Sequence, residues 1–221
     1  MKKAIIFGAS GFIGSYLLTE LLNNPDYEQV TVVVRKDLNL INPKLKTLIG
    51  DLNSLPELKE SIIANEIYIA LGTTKKNVPN EADYYKIDHD YPVLAAKLAK
   101  ENGAKSVFVV TAVGANAHSN IFYIKTKGQV ELDIIALDFD HTHIFRPSML
   151  MGNRTENRPM EKVFMGIWSV INPILFGSLK KYKGINGSEV AKAMINAAKN
   201  ETEKVKIYHW QEMTDLNHKK S

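Results

Sequence analysis

An α/β fold built on a doubly wound parallel sheet is what this sequence predicts, and three observations carry that prediction. Short apolar runs recur along the chain, each followed by polar or helix-patterned sequence, the alternation produced by a parallel sheet with crossover helices. The first run, Ala4-Ile5-Ile6-Phe7, is apolar throughout, as a strand covered on both faces must be. It runs into Gly8-Ala9-Ser10-Gly11-Phe12-Ile13-Gly14, beyond which Leu17, Leu18, Leu21 and Leu22 return at helical spacing.

The remaining elements follow in order. Val30 to Val34 predicts a second strand, Leu45 to Ile49 a third and Glu66 to Ala70 a fourth. A helix is expected from Tyr91-Pro92 to Asn102-Gly103, because proline suits a first helical turn and glycine the position after a last one. Ser106 to Thr111 predicts strand five, Tyr123 to Leu137 a helix, and His143-Ile144-Phe145 strand six. Past Arg146-Pro147 the rhythm changes to a polar loop from Gly152 to Pro159, an apolar helix from Met160 to Leu175 and a glycine-containing segment near 177–187. Ser188 is expected to cap a helix carrying Val190, Ala191, Met194 and Ala197, and Val205 to Tyr208 to form a last strand before a frayed polar tail. The expected organisation is one domain over residues 1–221, with 150–190 contributing a small C-terminal substrate lobe.

Composition sets bounds on function. Apolar residues make up 45% and charged residues 24% of the 221, as in ordinary globular proteins, and no repeat or low-complexity segment occurs. Net charge is only +4 and basic residues are scattered, so nucleic acid is not indicated. Cysteine is absent, which excludes disulfides, thiolate metal sites and cysteine nucleophiles. The longest apolar stretch, Val163 to Phe176, is too short to span a bilayer. No cleavage pattern follows the first apolar run, and a cytoplasmic location is the expectation. His118, His141 and His143 lack the arrangement of a metal site, so no metal is expected.

The glycine turn is the strongest functional signal. Between a strand and a helix, one glycine permits the sharp reversal, another lets backbone approach phosphate, and a third allows the helix to pack on the strand. The helix N-terminus then offers amide donors to a dinucleotide pyrophosphate. The spacing, G-x-x-G-x-x-G, matches the generic dinucleotide fingerprint in mechanism rather than letter for letter. This makes the sheet Rossmann-type, with ligands expected across the carboxyl ends of its strands. Arg35, after strand two, suits a ribose 2′-phosphate and so favours NADP(H). Asp51, after strand three, is placed near the adenine amine, although it could equally cap the helix beginning near Ser54. Leu71-Gly72-Thr73-Thr74 forms a small-residue turn suited to close approach by ribose.

Tyr123 and Lys127 stand i, i+4 on the helix after strand five. The lysine cation is expected to lower the phenol pKa from about 10, so that Tyr123 can exchange a proton with a carbonyl oxygen as hydride moves to or from a nicotinamide. Thr111 could hold the same oxygen. With nine tyrosines in the chain, about one such Tyr-Lys spacing arises by chance, so the position gives the pair its meaning. Arg154 and Arg158 could meet an acidic group or simply face solvent. Phe164, Ile167, Trp168 and Ile171 suit core packing or a pocket lid more than membrane docking.

Taken together, the glycine turn, Arg35, Gly50-Asp51, Leu71 to Thr74, Tyr123-x-x-x-Lys127 and Phe145-Arg146-Pro147 resemble an atypical short-chain dehydrogenase/reductase. More narrowly, Thr111-Ala112-Val113-Gly114-Ala115-Asn116, Ser119 to Tyr123 and Lys127 to Glu131 resemble the Tat-interacting-protein-like oxidoreductases. That resemblance implies an NADPH-binding domain with Gly8, Ser10, Gly11, Phe12, Ile13 and Gly14 around the pyrophosphate and Arg35 on the 2′-phosphate. It also implies a catalytic Tyr123 and Lys127, with the backbone at Arg146 lining the nicotinamide side. The usual Ser-Ser at the end of strand five is Thr111-Ala112 here. Asp88 matches an Asp of that family and equally suits a helix start.

The expected function is NADPH-dependent reduction of a small carbonyl compound. The alternative is a non-catalytic NADP(H)-binding redox sensor or protein-interaction regulator, and a protein partner or homo-oligomer is compatible with either. A sugar-nucleotide epimerase or dehydratase fits less well, because only about 70 residues follow strand six.

Overall fold

The computed structural model describes residues 1–152, 175–199 and 202–218. The polar loop, the apolar helix, Arg154, Arg158 and the Phe164, Ile167, Trp168 and Ile171 stripe anticipated from the sequence lie outside those residues, save the ends Gly152 and Leu175.

Strands β1 (Lys2–Phe7), β2 (Tyr27–Val34), β3 (Leu45–Ile49), β4 (Glu66–Ile69), β5 (Ser106–Val110), β6 (His141–Phe145) and β9 (Val205–Tyr208) form one seven-stranded sheet in the order β3-β2-β1-β4-β5-β6-β9. Every pairing in it is parallel. The chain reverses its direction of travel between β1 and β4, the switch point where an open α/β sheet leaves a ligand crevice. This is the Rossmann-type architecture that the sequence predicts.

Strand alternation builds two cores. Ala4 and Ile6 of β1 point into one layer with Leu17 and Leu21 of α1 (Phe12–Asn23) and with Val190 and Met194 of α5 (Gly187–Ala197). Ile5 and Phe7 point the other way, against Ala95 and Ala99 of α3 (Tyr91–Glu101) and Val130 and Ile134 of α4 (Phe122–Ala136). Burying each large aliphatic side chain in these layers contributes roughly 1.5–3 kcal/mol.

Three local features depart from expectation. Helix α3 does not begin freely at Tyr91. α2 (Glu81–Tyr85) leads through a π-helical turn, Lys86–Asp90, straight into it. Pro92 has no amide hydrogen to give to a carbonyl one turn back, and the wider turn absorbs that break: the Tyr91 amide donates to Lys86 O, five residues earlier. The cap of α5 is Asn186 rather than Ser188, because Glu189 reaches back to accept from the Asn186 amide at 2.9 Å. The C-terminal tail is helical as α6 (Trp210–His218): Met213 is fully buried and Trp210 Nε1 donates to Gly184 O at 3.1 Å. Two short strands, β7 (Leu150–Met151) and β8 (Ile185–Asn186), pair in parallel as a separate two-stranded sheet.

Candidate functional site

At the end of β1, Gly8 adopts φ +92°, a left-handed conformation that side chains disfavour, and the Gly11 amide donates back to Gly8 O at 2.9 Å. A Cβ on Gly14 would stand 2.0 Å from that same oxygen, so only glycine lets α1 sit this close to the turn. Gly11, at the N-cap, has no side chain with which to satisfy the first helical turn. The result is a backbone cradle at the positive end of a helix, at the switch point, which fits the pyrophosphate of a dinucleotide. Ser10 lies exposed at its lip. Ile13 is buried in the core, leaving its backbone as the part able to face a ligand. Phe12 packs its ring against Gly187, where a Cβ would come within 2.6 Å of it.

A second group gathers beyond β2 and β3. Arg35 is exposed. Asp51 Oδ1 accepts from the amides of Asn53 and Ser54 at 3.0 and 3.1 Å, in the turn that leads into a short 3-10 helix, Leu55–Ser61, rather than capping that helix. Those two bonds, with a smaller contribution from Arg35, hold the exposed carboxyl below its usual range. Tyr91 stands edge-on to Phe7, with ring centroids 6.0 Å apart. Burial pushes its phenol up to about 12, with Asp51 raising it and Arg35 lowering it, so Tyr91, which the sequence marks only as a helix start, belongs to this corner.

The third group is a stripe on α4: Tyr123, Lys127 and Glu131, at successive i, i+4 positions. Lys127 Nζ lies 2.6 Å from Asp88 Oδ1, both side chains nearly fully buried at 7% and 1% exposure. The other oxygen of Asp88 accepts from the Thr73 amide at 2.8 Å. A Cβ on Gly72 would sit 3.6 Å from Asp88 and 3.8 Å from Lys127 Nζ, so the turn after β4 lies directly against the ion pair. Leu71 is half-buried and packs on the α3 side of the core.

Two expectations about this stripe are corrected. The Tyr123 phenol lies above, not below, its ordinary value: although the residue as a whole is 40% exposed, desolvation of the hydroxyl dominates, Lys127 pulls down and Asp88 pushes up. Thr111 does not offer its proton to the cleft. Its hydroxyl donates to Glu131 Oε1 at 2.5 Å and lies 3.5 Å from Phe145 O, which leaves it nothing with which to donate to a carbonyl. Glu131 is also gripped by Arg146, with Nε on Oε1 at 2.9 Å and Nη2 on Oε2 at 2.5 Å. The Arg146 guanidinium is therefore committed to a forked ion pair, and any part it plays at the nicotinamide side falls to its backbone.

The sequence marks Asp88 evenly as a match to an Asp of the resembled family or a helix-start carboxylate, and Glu131 only as part of that resemblance. Gly128 stands in the same segment of the resemblance; a Cβ there would stand 2.1 Å from Ala117 N, so it admits the loop after β5 against α4. No described helix is long and apolar enough to cross a membrane.

Comparison with known proteins agrees with this geometry. Residues 8–201 match the family described as NAD(P)H-binding. Protein FMP52, mitochondrial, of Candida albicans is 36% identical over 204 residues, covering 89% of this chain and 87% of its own. Its Kluyveromyces lactis namesake is 36% identical over 228 residues and covers 99% of this chain and 100% of its own. Among solved structures, the Bordetella bronchiseptica enzyme WbmH in complex with NAD+ superposes with TM-score 0.71 at 17% identity, over 95% of this chain and 75% of that one. UDP-glucose 4-epimerase of Thermotoga maritima gives 0.69 at 13% identity, over 99% and 84%. The chain belongs to the NAD(P)H-binding family and, within it, with the FMP52 proteins. The cytoplasmic expectation is overturned by these relatives, which are named mitochondrial.

Proposed function

We propose that this member of the NAD(P)H-binding family is an NADPH-dependent reductase of a small carbonyl compound, akin to the Tat-interacting-protein-like oxidoreductases. The observation that carries the reading is Tyr123 and Lys127 on one face of α4, beside the turn after β4 and next to the switch point that holds the glycine cradle. In this reading the amides of the Gly11 to Gly14 turn bind the pyrophosphate, with Ser10 at the lip, and Arg35 meets the 2′-phosphate. Asp51 and the turn formed by Leu71, Gly72 and Thr73 border the adenosine and ribose. NADPH held by these residues would supply the hydride for reduction of the carbonyl. Tyr123 donates its proton to the carbonyl oxygen, giving the alcohol, and is reprotonated from solvent. Lys127 grips ribose and tunes Tyr123. The substrate wall is assigned in this reading to the stretch 150–190, of which 153–174 lie outside the described residues. The mitochondrial names of the relatives suggest the compartment in which the protein works.

The second reading, a non-catalytic NADP(H) sensor or interaction regulator, draws support from Thr111, whose proton is committed to Glu131. One experiment separates the two. Purified protein is titrated with NADPH and NADH, and nicotinamide absorbance is followed across a carbonyl panel with wild type and Tyr123→Phe. Turnover abolished in Tyr123→Phe with NADPH affinity retained supports the reductase. Binding without turnover in the wild type favours the sensor, and equal turnover by the variant removes the assignment of Tyr123.

A further inference from the structure

The Lys127–Asp88 pair changes what a lysine beside a tyrosine does. A lone cation would stabilise the phenolate, but this one lies 2.6 Å from a carboxylate, and both are shielded from water, so the field reaching Tyr123 is that of a closely spaced pair. The carboxylate cannot swing away: its second oxygen takes the Thr73 amide, and its backbone lies in the π-helical turn before Pro92. Among the described titratable groups, Lys127 from α4 and Asp88 from the π turn act on the Tyr123 phenol, and Tyr84 from α2 is coupled to it by charge. The Tyr84 phenol is itself raised by burial and by Asp88.

We propose that Asp88 is a positioning residue that offsets the charge of Lys127 and keeps Tyr123 a proton donor, so that the site is biased towards carbonyl reduction over alcohol oxidation. Asp88 also ties this setting to the cofactor side, since the loop carrying Thr73 and Gly72 rests on the ion pair. Anything that moves that loop moves the carboxylate that governs the tyrosine. The inference rests on the reading of Tyr123 as the proton donor, but the electrostatic part can be tested with no substrate.

The experiment is an alkaline titration of the full-length protein, with tyrosinate absorbance of Tyr123 isolated as the difference from Tyr123→Phe, in wild type and in Asp88→Asn. Asparagine retains an oxygen for the Thr73 amide, removes the charge and leaves Lys127 without its acceptor. The Tyr123 titration is expected to move down by about one pH unit in Asp88→Asn and to stay near the wild-type position in Asp88→Glu. Where turnover is measurable, the alkaline limb of kcat/KM for reduction moves down by the same amount. An unmoved titration in folded Asp88→Asn overturns the proposal. Should that variant fail to fold, Lys127→Met is compared with Lys127→Met/Asp88→Asn, which buries no unpaired lysine. The double variant must titrate at lower pH than the single, and coincident curves overturn the proposal. A shifted titration with no carbonyl turnover leaves the electrostatic role of Asp88 standing and removes the reductase reading alone.

Discussion

Gly14 sits so close to Gly8 that a single methyl group between them has no room: a Cβ on Gly14 would stand 2.0 Å from the Gly8 carbonyl oxygen and 2.7 Å from its carbon. The contact is backbone on backbone, so no side chain can rotate aside to relieve it. It fixes how near α1 approaches the end of β1, and with it where the first helical amides point.

Gly14→Ala is therefore expected to act on folding and on ligand binding together. Overpacking of this kind costs about 1–3 kcal/mol, and the displaced amides should weaken NADPH at least tenfold. A urea midpoint and a fluorescence titration check both. Stability lost with full affinity retained would place the pyrophosphate elsewhere.

At the opposite corner, Arg35 is exposed and electrostatically linked to Asp51 and Tyr91. Arg35→Ala should weaken NADPH by roughly ten- to a hundredfold, the loss of about 1.5–3 kcal/mol of charge-assisted bonding, while leaving NADH nearly unchanged. Equal losses for both cofactors would remove Arg35 from the 2′-phosphate.

Glu131 joins three elements by accepting from Thr111 and Arg146. Glu131→Ala strands the Arg146 guanidinium, whose side chain is only 19% exposed, and should cost about 3 kcal/mol. Thr111→Val, which removes one neutral donor and leaves the ion pair, should cost about 1 kcal/mol. Chemical denaturation of the two variants measures the gap, and equal losses would mean that the ion pair adds nothing beyond the hydroxyl.

How much of this was readable in advance depends on the range of the interaction. The glycine turn, the strands from β1 to β5 and the Tyr123-Lys127 spacing are local patterns, set by steric and periodic rules within a few residues, and they read correctly from the chain. The partners that decide how the stripe behaves are not local. Asp88 meets Lys127 and Arg146 meets Glu131 only because β4, the π turn, α4 and β6 converge, and no spacing rule encodes that. Boundaries erred for physical reasons too. Strand β6 begins at His141 because backbone pairing to β5 extends beyond its apolar core, and the polar tail folds because Met213 and Trp210 suffice to anchor one helix.

His143 supplies a pH dependence independent of catalysis. It stacks on Phe108 at 2° between ring planes, its Nδ1 lies 2.8 Å from the Tyr208 hydroxyl, and burial lowers its pKa to about 4. A depressed histidine pKa means that the unfolded chain takes up the proton first. Its contribution is therefore complete above about pH 6.5 and is lost as pH falls from there towards 4, amounting to about 2 kcal/mol by pH 5. Denaturation at pH 7 and pH 5 should show this loss in wild type and not in His143→Phe. The same loss in both would assign it to other groups.

The central claim is that the amides opening α1 hold a nicotinamide dinucleotide, and isothermal titration of the protein with NADPH and NADH tests it most directly. Saturable one-to-one heat is predicted for NADPH, weaker for NADH and lost for both in Gly14→Ala. Heat for neither cofactor, or undiminished heat in Gly14→Ala, would contradict it.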